Sequence, residues 1–134
     1  MNGNKGLDLP HEELTGQIIG AAIEVYKALG PGFIEVVYEN ALALELRAQS
    51  IPFERQWSVP VVYRGSEVGL HRVDLLVAAT VIVELKAVKA IENVHFAVVR
   101  SYLRAVGREH GLILNFAKPP LEIKRVIASD WPIL

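Results

Sequence analysis

The sequence predicts one α/β domain, a mixed β-sheet flanked by helices. Apolar residues recur at helical spacing in three segments, about His11–Leu29, Phe33–Gln49 and Val94–Val106. Short β-rich runs lie between and after them, and two of these, Leu75-Leu76-Val77 and Val81-Ile82-Val83, are continuously apolar, as in strands covered on both faces. The order strand 81–86, helix, strand 112–116 is a β-α-β unit, so those two strands are expected to be parallel, whereas the tight link before them makes an antiparallel hairpin. The expected layout is a flexible polar lead-in at 1–10, a domain over 11–127 and a short tail at 128–134.

In the first helix, Leu14, Ile18, Ala22, Val25 and Leu29 form the apolar stripe, and Gly30-Pro31-Gly32 stops the helix and turns the chain. The second helix buries Val37, Ala41, Leu42 and Leu46, with Glu35, Tyr38, Leu42 and Glu45 on an adjoining face. Glu35 falls in its first turn, where a carboxylate also suits the helix dipole. Phe53–Trp57 and Val59–Tyr63 are two short strands or one bent strand, and Pro60 marks an edge or a bend. Arg64-Gly65-Ser66-Glu67 is a turn, and Val68–Val77 runs into a hairpin closed by Ala78-Ala79-Thr80. Asn93 is the expected N-cap of the third helix, Phe96, Val99, Leu103 and Val106 its core stripe, and Gly107 its end. Leu112–Phe116 is a buried strand, Lys118-Pro119-Pro120 a break, and Leu121–Ile127 the last strand, before a tail with Trp131 and Pro132.

With 134 residues and 51% hydrophobic content the chain has enough material for one core, and a mean hydropathy of +0.30 argues against disorder. The net charge of -1 excludes a global basic field, so nucleic-acid binding would need a local patch together with a metal. The absence of cysteine excludes disulfides, thiolate metal sites and a Cys nucleophile, and fits a reducing compartment. No apolar signal core opens the sequence and no apolar run approaches the roughly 20 residues of a membrane span. A cytoplasmic protein is the expectation.

The informative stretch is Arg72–Lys86. Alternation places Asp74, Leu76 and Ala78 on one face of the first strand, and Ile82, Glu84 and Lys86 on one face of the second. A three-residue turn centred on Ala79 sets Asp74 opposite Glu84, with Cβ atoms roughly 5 Å apart. Two opposed carboxylates in a dry sheet repel and cost desolvation, whereas a divalent cation between them turns that cost into a binding site. Asp, then Glu-x-Lys on the neighbouring strand, is an arrangement for metal-assisted phosphodiester cleavage. The competing reading of Glu-x-Lys alone is a solvated face with a weak ion pair.

Gly32, Glu35 and Tyr38 spell Gly-x-x-Glu-x-x-Tyr within Leu29–Glu39. Together with Arg72-Val73-Asp74-Leu75-Leu76 and Val83-Glu84-Leu85-Lys86-Ala87, and with Tyr102-Leu103, Gly107 and Leu114-Asn115-Phe116, the chain resembles the GxxExxY family of the PD-(D/E)xK nuclease-like superfamily from about Leu14 to Ile127. The resemblance implies a restriction-endonuclease-like core and hydrolysis of phosphodiester bonds in DNA or RNA with one or two Mg²⁺ or Mn²⁺ ions. It implies Asp74, Glu84 and the backbone carbonyl of Leu85 as metal ligands. It implies Lys86 as the residue that positions or activates the attacking water, and Glu35 as a supporting acid. Oxygen ligands suit such ions. One departure stands out, since members carry Gln on the following helix where this chain has Val98.

Three further residues are accessory candidates. They are Tyr38, which either bonds a carboxylate or phosphate or is tied into the core, and His95 and Arg100, as polar substitutes for the missing Gln. His11, His71, His95 and His110 have no helical ligand spacing, which argues against a His-based zinc site, and His71 is expected to face away from Asp74. The serines form no nucleophile elbow, and Gly30-Pro31-Gly32 lacks the continuation of a phosphate loop. Arg100, Arg104 and Arg108 form a basic ridge, a solvated face or a nucleic-acid contact. The leading reading is a metal-dependent nuclease. The alternatives are a catalytically inactive nuclease-fold binding or structural module, and hydrolysis of a small phosphodiester or nucleotide. An apolar edge at Trp57 and Val59–Val62 offers a way to form a homodimer.

Overall fold

The structure, a computed structural model, describes residues 3–130, with side chains from 12 to 129. The elements are α1 (Gly3–Leu29), α2 (Glu35–Ala48), β1 (Phe53–Tyr63), β2 (Ser66–Val77), β3 (Val81–Lys86), α3 (Asn93–Val106), β4 (His110–Asn115) and β5 (Glu122–Ile127), followed by a 3-10 turn at Ala128–Asp130. The strands form one sheet in the order β1-β2-β3-β4-β5. β3 and β4 are parallel and the other neighbours antiparallel, as the β-α-β unit and the hairpin require. No helix among the described residues is long and apolar enough to cross a membrane.

The sheet is covered on both faces, which explains the unbroken apolar runs. Val81, Val83 and Leu85 join Leu75, Val77, Leu112 and Leu114 in a core with Ile18, Tyr38, Leu42 and Leu46 of α1 and α2. Ile82 and Leu76 belong to a second core with Val99 and Leu103 of α3. Each fully buried side chain of this size contributes about 1.5–3 kcal/mol. Helix α3 lies close on β4 because residue 111 is glycine. A Cβ there would sit 2.9 Å from Val99 Cγ1.

Tyr38 fixes how α2 follows α1. Its hydroxyl donates to the carbonyl of Gly30 at 2.6 Å and accepts from the N–H of Phe33 at 3.2 Å, and its ring stacks on Phe116 at 4.4 Å. Gly30 adopts φ 71°, which glycine reaches without a Cβ clash.

Several local expectations change. The segments at 53–57 and 59–63 are one strand, the second of the two expected arrangements, with a left-handed backbone angle at Gln56, φ 49°, and a register shift against β2 between Val61 and Val62. The N-cap of α3 is Glu92 rather than Asn93. Residue 92 has the extended backbone of a cap, and its N–H donates to His95 Nδ1 at 2.8 Å. The basic ridge ends early, because α3 stops at Val106 with Gly107 left-handed, and Arg108 instead donates from Nε to the carbonyl of Ala79 at 2.8 Å. Val37 and Ala41 are only half-buried, while Tyr38 and Glu39 are buried in their place. α1 begins at Gly3, so the backbone is helical where a lead-in was expected. Trp131 and Pro132 lie outside the described residues.

Candidate active site

The hairpin register is the one the turn implies, Leu75 opposite Val83, Leu76 opposite Ile82 and Val77 opposite Val81. The next pair is Asp74 and Glu84, and there the ladder stops. The N–H of Asp74 donates to Glu84 Oε2 at 2.9 Å, and the N–H of Leu85 donates to Asp74 Oδ2 at 2.9 Å. Each carboxylate accepts from the opposite strand, where a backbone carbonyl would otherwise bond. The side chains therefore satisfy the amides while the strands part. The N–H and C=O of one residue share an edge of an extended strand, so the Leu85 carbonyl also faces this gap.

Burial makes the pair costly to ionise. Glu84 is 6% exposed, and burial first, then the neighbouring Asp74, push its carboxyl up to about 8, against the opposing pull of the Asp74 N–H and Lys86. Asp74 is also raised by burial, with Glu39 and Glu35 adding to the shift and the Leu85 N–H and Gln56 opposing it. A proton and a divalent cation are thus alternative ways to relieve the same repulsion.

Other groups surround this pair. Glu35, at the start of α2, accepts the Ala87 N–H through Oε2 at 3.2 Å, tying the helix to the end of β3. Lys86 ends β3 and counters the charge of Glu84. From α3, burial raises the Tyr102 phenol, and the fields of Glu84 and Asp74 raise it further. The Tyr102 ring packs edge-on against His71 with centroids 4.5 Å apart. Glu39, only 6% exposed, accepts from Arg55 Nε at 3.0 Å and from Gln56 Nε2 at 2.9 Å. Gln56 Nε2 also reaches Asp74 Oδ1 at 3.4 Å, and Arg55 Nη2 bonds Asn40 Oδ1.

Asp74, Glu84, Leu85, Lys86 and Glu35 are therefore neighbours, although drawn from three elements. The accessory candidates make no hydrogen bond to this group. The Tyr38 hydroxyl is spent on the α1–α2 turn, the core-tied of its two readings. His95 shares the flank of Tyr102 two turns earlier, but its Nδ1 is held by the Glu92 N–H. Arg100 lies about 200° around α3 from Tyr102, at about 100° per residue, and so on another flank. His71 packs on Tyr102, in keeping with a packing role.

Sequence reasoning passed over Glu39, Arg55 and Gln56. Glu39 had a signal, because it follows Glu35 by four residues and so shares its face of the helix. Gln56 had none, since its place depends on a left-handed backbone angle in mid-strand.

The donor set fits a hard divalent cation. Among the described residues no group of three or more His, Cys, Asp or Glu side chains could hold a metal ion. The chain offers two carboxylates and a carbonyl, the partial oxygen shell with which Mg²⁺ retains several waters.

A family model described as the PD-(D/E)XK nuclease superfamily matches residues 12–126. A solved structure titled "Crystal structure of SSO0001" matches over 68% of this chain at 13% identity and a TM-score of 0.51, a likeness of fold alone. The match covers 48% of that protein, so this chain corresponds to about half of its length. Comparison with curated proteins gives no match.

Proposed function

We propose a function from one premise: the chain belongs to the PD-(D/E)XK nuclease superfamily. Nucleases of this superfamily generally use divalent metal ions, and their substrate is nucleic acid. Our reading is a Mg²⁺- or Mn²⁺-dependent phosphodiesterase acting on DNA or RNA, of the GxxExxY type marked by Gly32, Glu35 and Tyr38. The observation that carries it is the reciprocal capture of the Leu85 and Asp74 amides by Asp74 and Glu84 where β2 and β3 part.

In this reading Asp74, Glu84 and the Leu85 carbonyl hold the ion. Such an ion, when bound, polarises the phosphate and acidifies a water. Glu84 gives up its proton as the site loads, because a carboxylate ligates only when ionised. The Lys86 ammonium positions the attacking water and steadies negative charge as it develops on the phosphate. Glu35 keeps α2 against the end of β3 and offers its second oxygen to the site's waters. The test is cleavage of a mixed set of DNA and RNA substrates with Mg²⁺, by wild type and Lys86→Ala, with and without EDTA. Cleavage by wild type alone, abolished by EDTA, is expected. Activity that survives both changes removes the assignment.

One observation favours a second reading, a nuclease-fold binding or structural module without turnover. Val98 lies one turn before Tyr102 on the same flank and is 37% exposed, an apolar side chain where the resemblance calls for an amide. Calorimetry separates the two readings, since absence of both Mn²⁺ binding and nucleic-acid affinity selects a structural module. The homodimer belongs to the same proposal. β1 ends the sheet with Val62 and Tyr63 exposed, and a monomeric mass by sedimentation would exclude pairing through that edge.

A further inference from the structure

Residue 56 is unusual for its position. It lies within β1, and the register is unbroken on either side, Arg55 opposite Leu75 and Trp57 opposite Val73. No residue is inserted, yet Gln56 adopts φ 49°. A residue with a Cβ occupies that region at a cost that glycine avoids. Such outliers persist where surrounding contacts hold them.

The contacts here come from one amide group. Gln56 Nε2 carries two N–H donors, and it lies 2.9 Å from Glu39 Oε1 and 3.4 Å from Asp74 Oδ1. Glu39 is itself buried, with its other oxygen on Arg55 Nε at 3.0 Å. A chain of hydrogen bonds thus runs from α2 through Gln56 to Asp74. The Leu85 N–H already holds Asp74 Oδ2. One such bond fixes an oxygen but leaves the carboxylate free to rotate about its soft terminal torsion. A second bond, to Oδ1, sets the plane. Each oxygen retains a lone pair for a further partner.

We propose that Gln56 is a positioning residue that holds the Asp74 carboxylate in the plane a divalent cation needs, and that the Glu39–Arg55 pair holds Gln56. The inference rests on Asp74 being a metal ligand. It makes the backbone of β1 part of the site's support.

The experiment measures Mn²⁺ affinity by calorimetry and metal-free melting temperature for wild type, Gln56→Gly and Gln56→Asn. Glycine relieves the backbone and removes the amide. Asparagine tolerates the same backbone region, but its amide is one methylene too short to span both carboxylates. Both variants are expected to bind Mn²⁺ about tenfold more weakly, the scale of losing an outer partner of a ligand. The metal-free Gln56→Gly protein is expected to melt no lower than wild type. A purely structural Gln56 would lower stability and leave affinity unchanged. Variants that bind Mn²⁺ as wild type does overturn this inference alone. A wild type that does not bind Mn²⁺ overturns the metal site, and the inference with it.

Discussion

The two ends of the β2–β3 hairpin are built from the same strands and behave in opposite ways. At the turn end, Leu75–Val77 and Val81–Val83 form a regular ladder, apolar on both faces and buried between α1, α2 and α3. At the other end the next pair is Asp74 and Glu84, the ladder stops, and the amides are taken by carboxylates. The closed end stabilises the fold. The open end holds two acids whose ionised forms burial and mutual repulsion disfavour, a cost that hydrophobic burial a few ångströms away must offset.

Mutations at the two ends should therefore separate chemistry from stability. The largest effect is expected at the open end. Lys86→Ala should lower Mg²⁺-dependent cleavage by about 10²–10³-fold, the usual contribution of one group that stabilises developing negative charge, with little change in the melting curve. Equal loss of stability and activity would remove the distinction. At the closed end, Leu75→Ala should cost about 2–5 kcal/mol by denaturant unfolding, from lost burial and the cavity left behind. Its Mn²⁺ affinity, measured on folded protein, should stay that of wild type.

A subtler separation comes from pH. The Glu84 carboxyl titrates near 4.5 when unfolded and is pushed up to about 8 in the fold. The folded state then holds more protons across that window, so the contribution is complete below about 4.5 and is lost as pH rises towards 8. Metal-free wild type should accordingly become less stable from pH 5 to pH 8. Glu84→Gln should flatten that slope and melt higher than wild type at pH 8 while failing to bind Mn²⁺. A variant less stable than wild type at pH 8 would contradict the idea that the open end costs stability. The smallest effect lies in the turn. Ala78 and Ala79 have φ 51° and 55°, and the Thr80 N–H closes the turn on the Val77 carbonyl at 3.0 Å. Ala79→Gly should add about 1 kcal/mol by relieving that backbone, with no change at Asp74 or Glu84.

Much of this contrast was legible along the chain. Strand alternation and the length of the Ala78–Thr80 link were enough to set Asp74 against Glu84, because side-chain period and turn length together specify register. The parallel pairing of β3 with β4 followed from the helix between them. Other features were hidden for definable reasons. Asn93 resembles a cap by residue type, but the cap is the residue whose backbone is extended as the helix begins, and that is Glu92. Tyr38 offered a polar hydroxyl, and only the path of the α1–α2 turn shows it bonded to Gly30 and Phe33.

By itself, the sequence determined the elements, the two-sided burial of the sheet and the facing of one acidic pair. These depend on periodicities of two and 3.6 residues and on short links, all interactions between near neighbours. Tertiary structure alone decided which distant groups meet that pair. Glu35 reaches the end of β3, Glu39 anchors Gln56, and Tyr102 approaches from the opposite layer. Those meetings are set by how helices seat on a twisted sheet and by one left-handed residue in β1, and no local pattern in a chain encodes the packing of segments far apart along it.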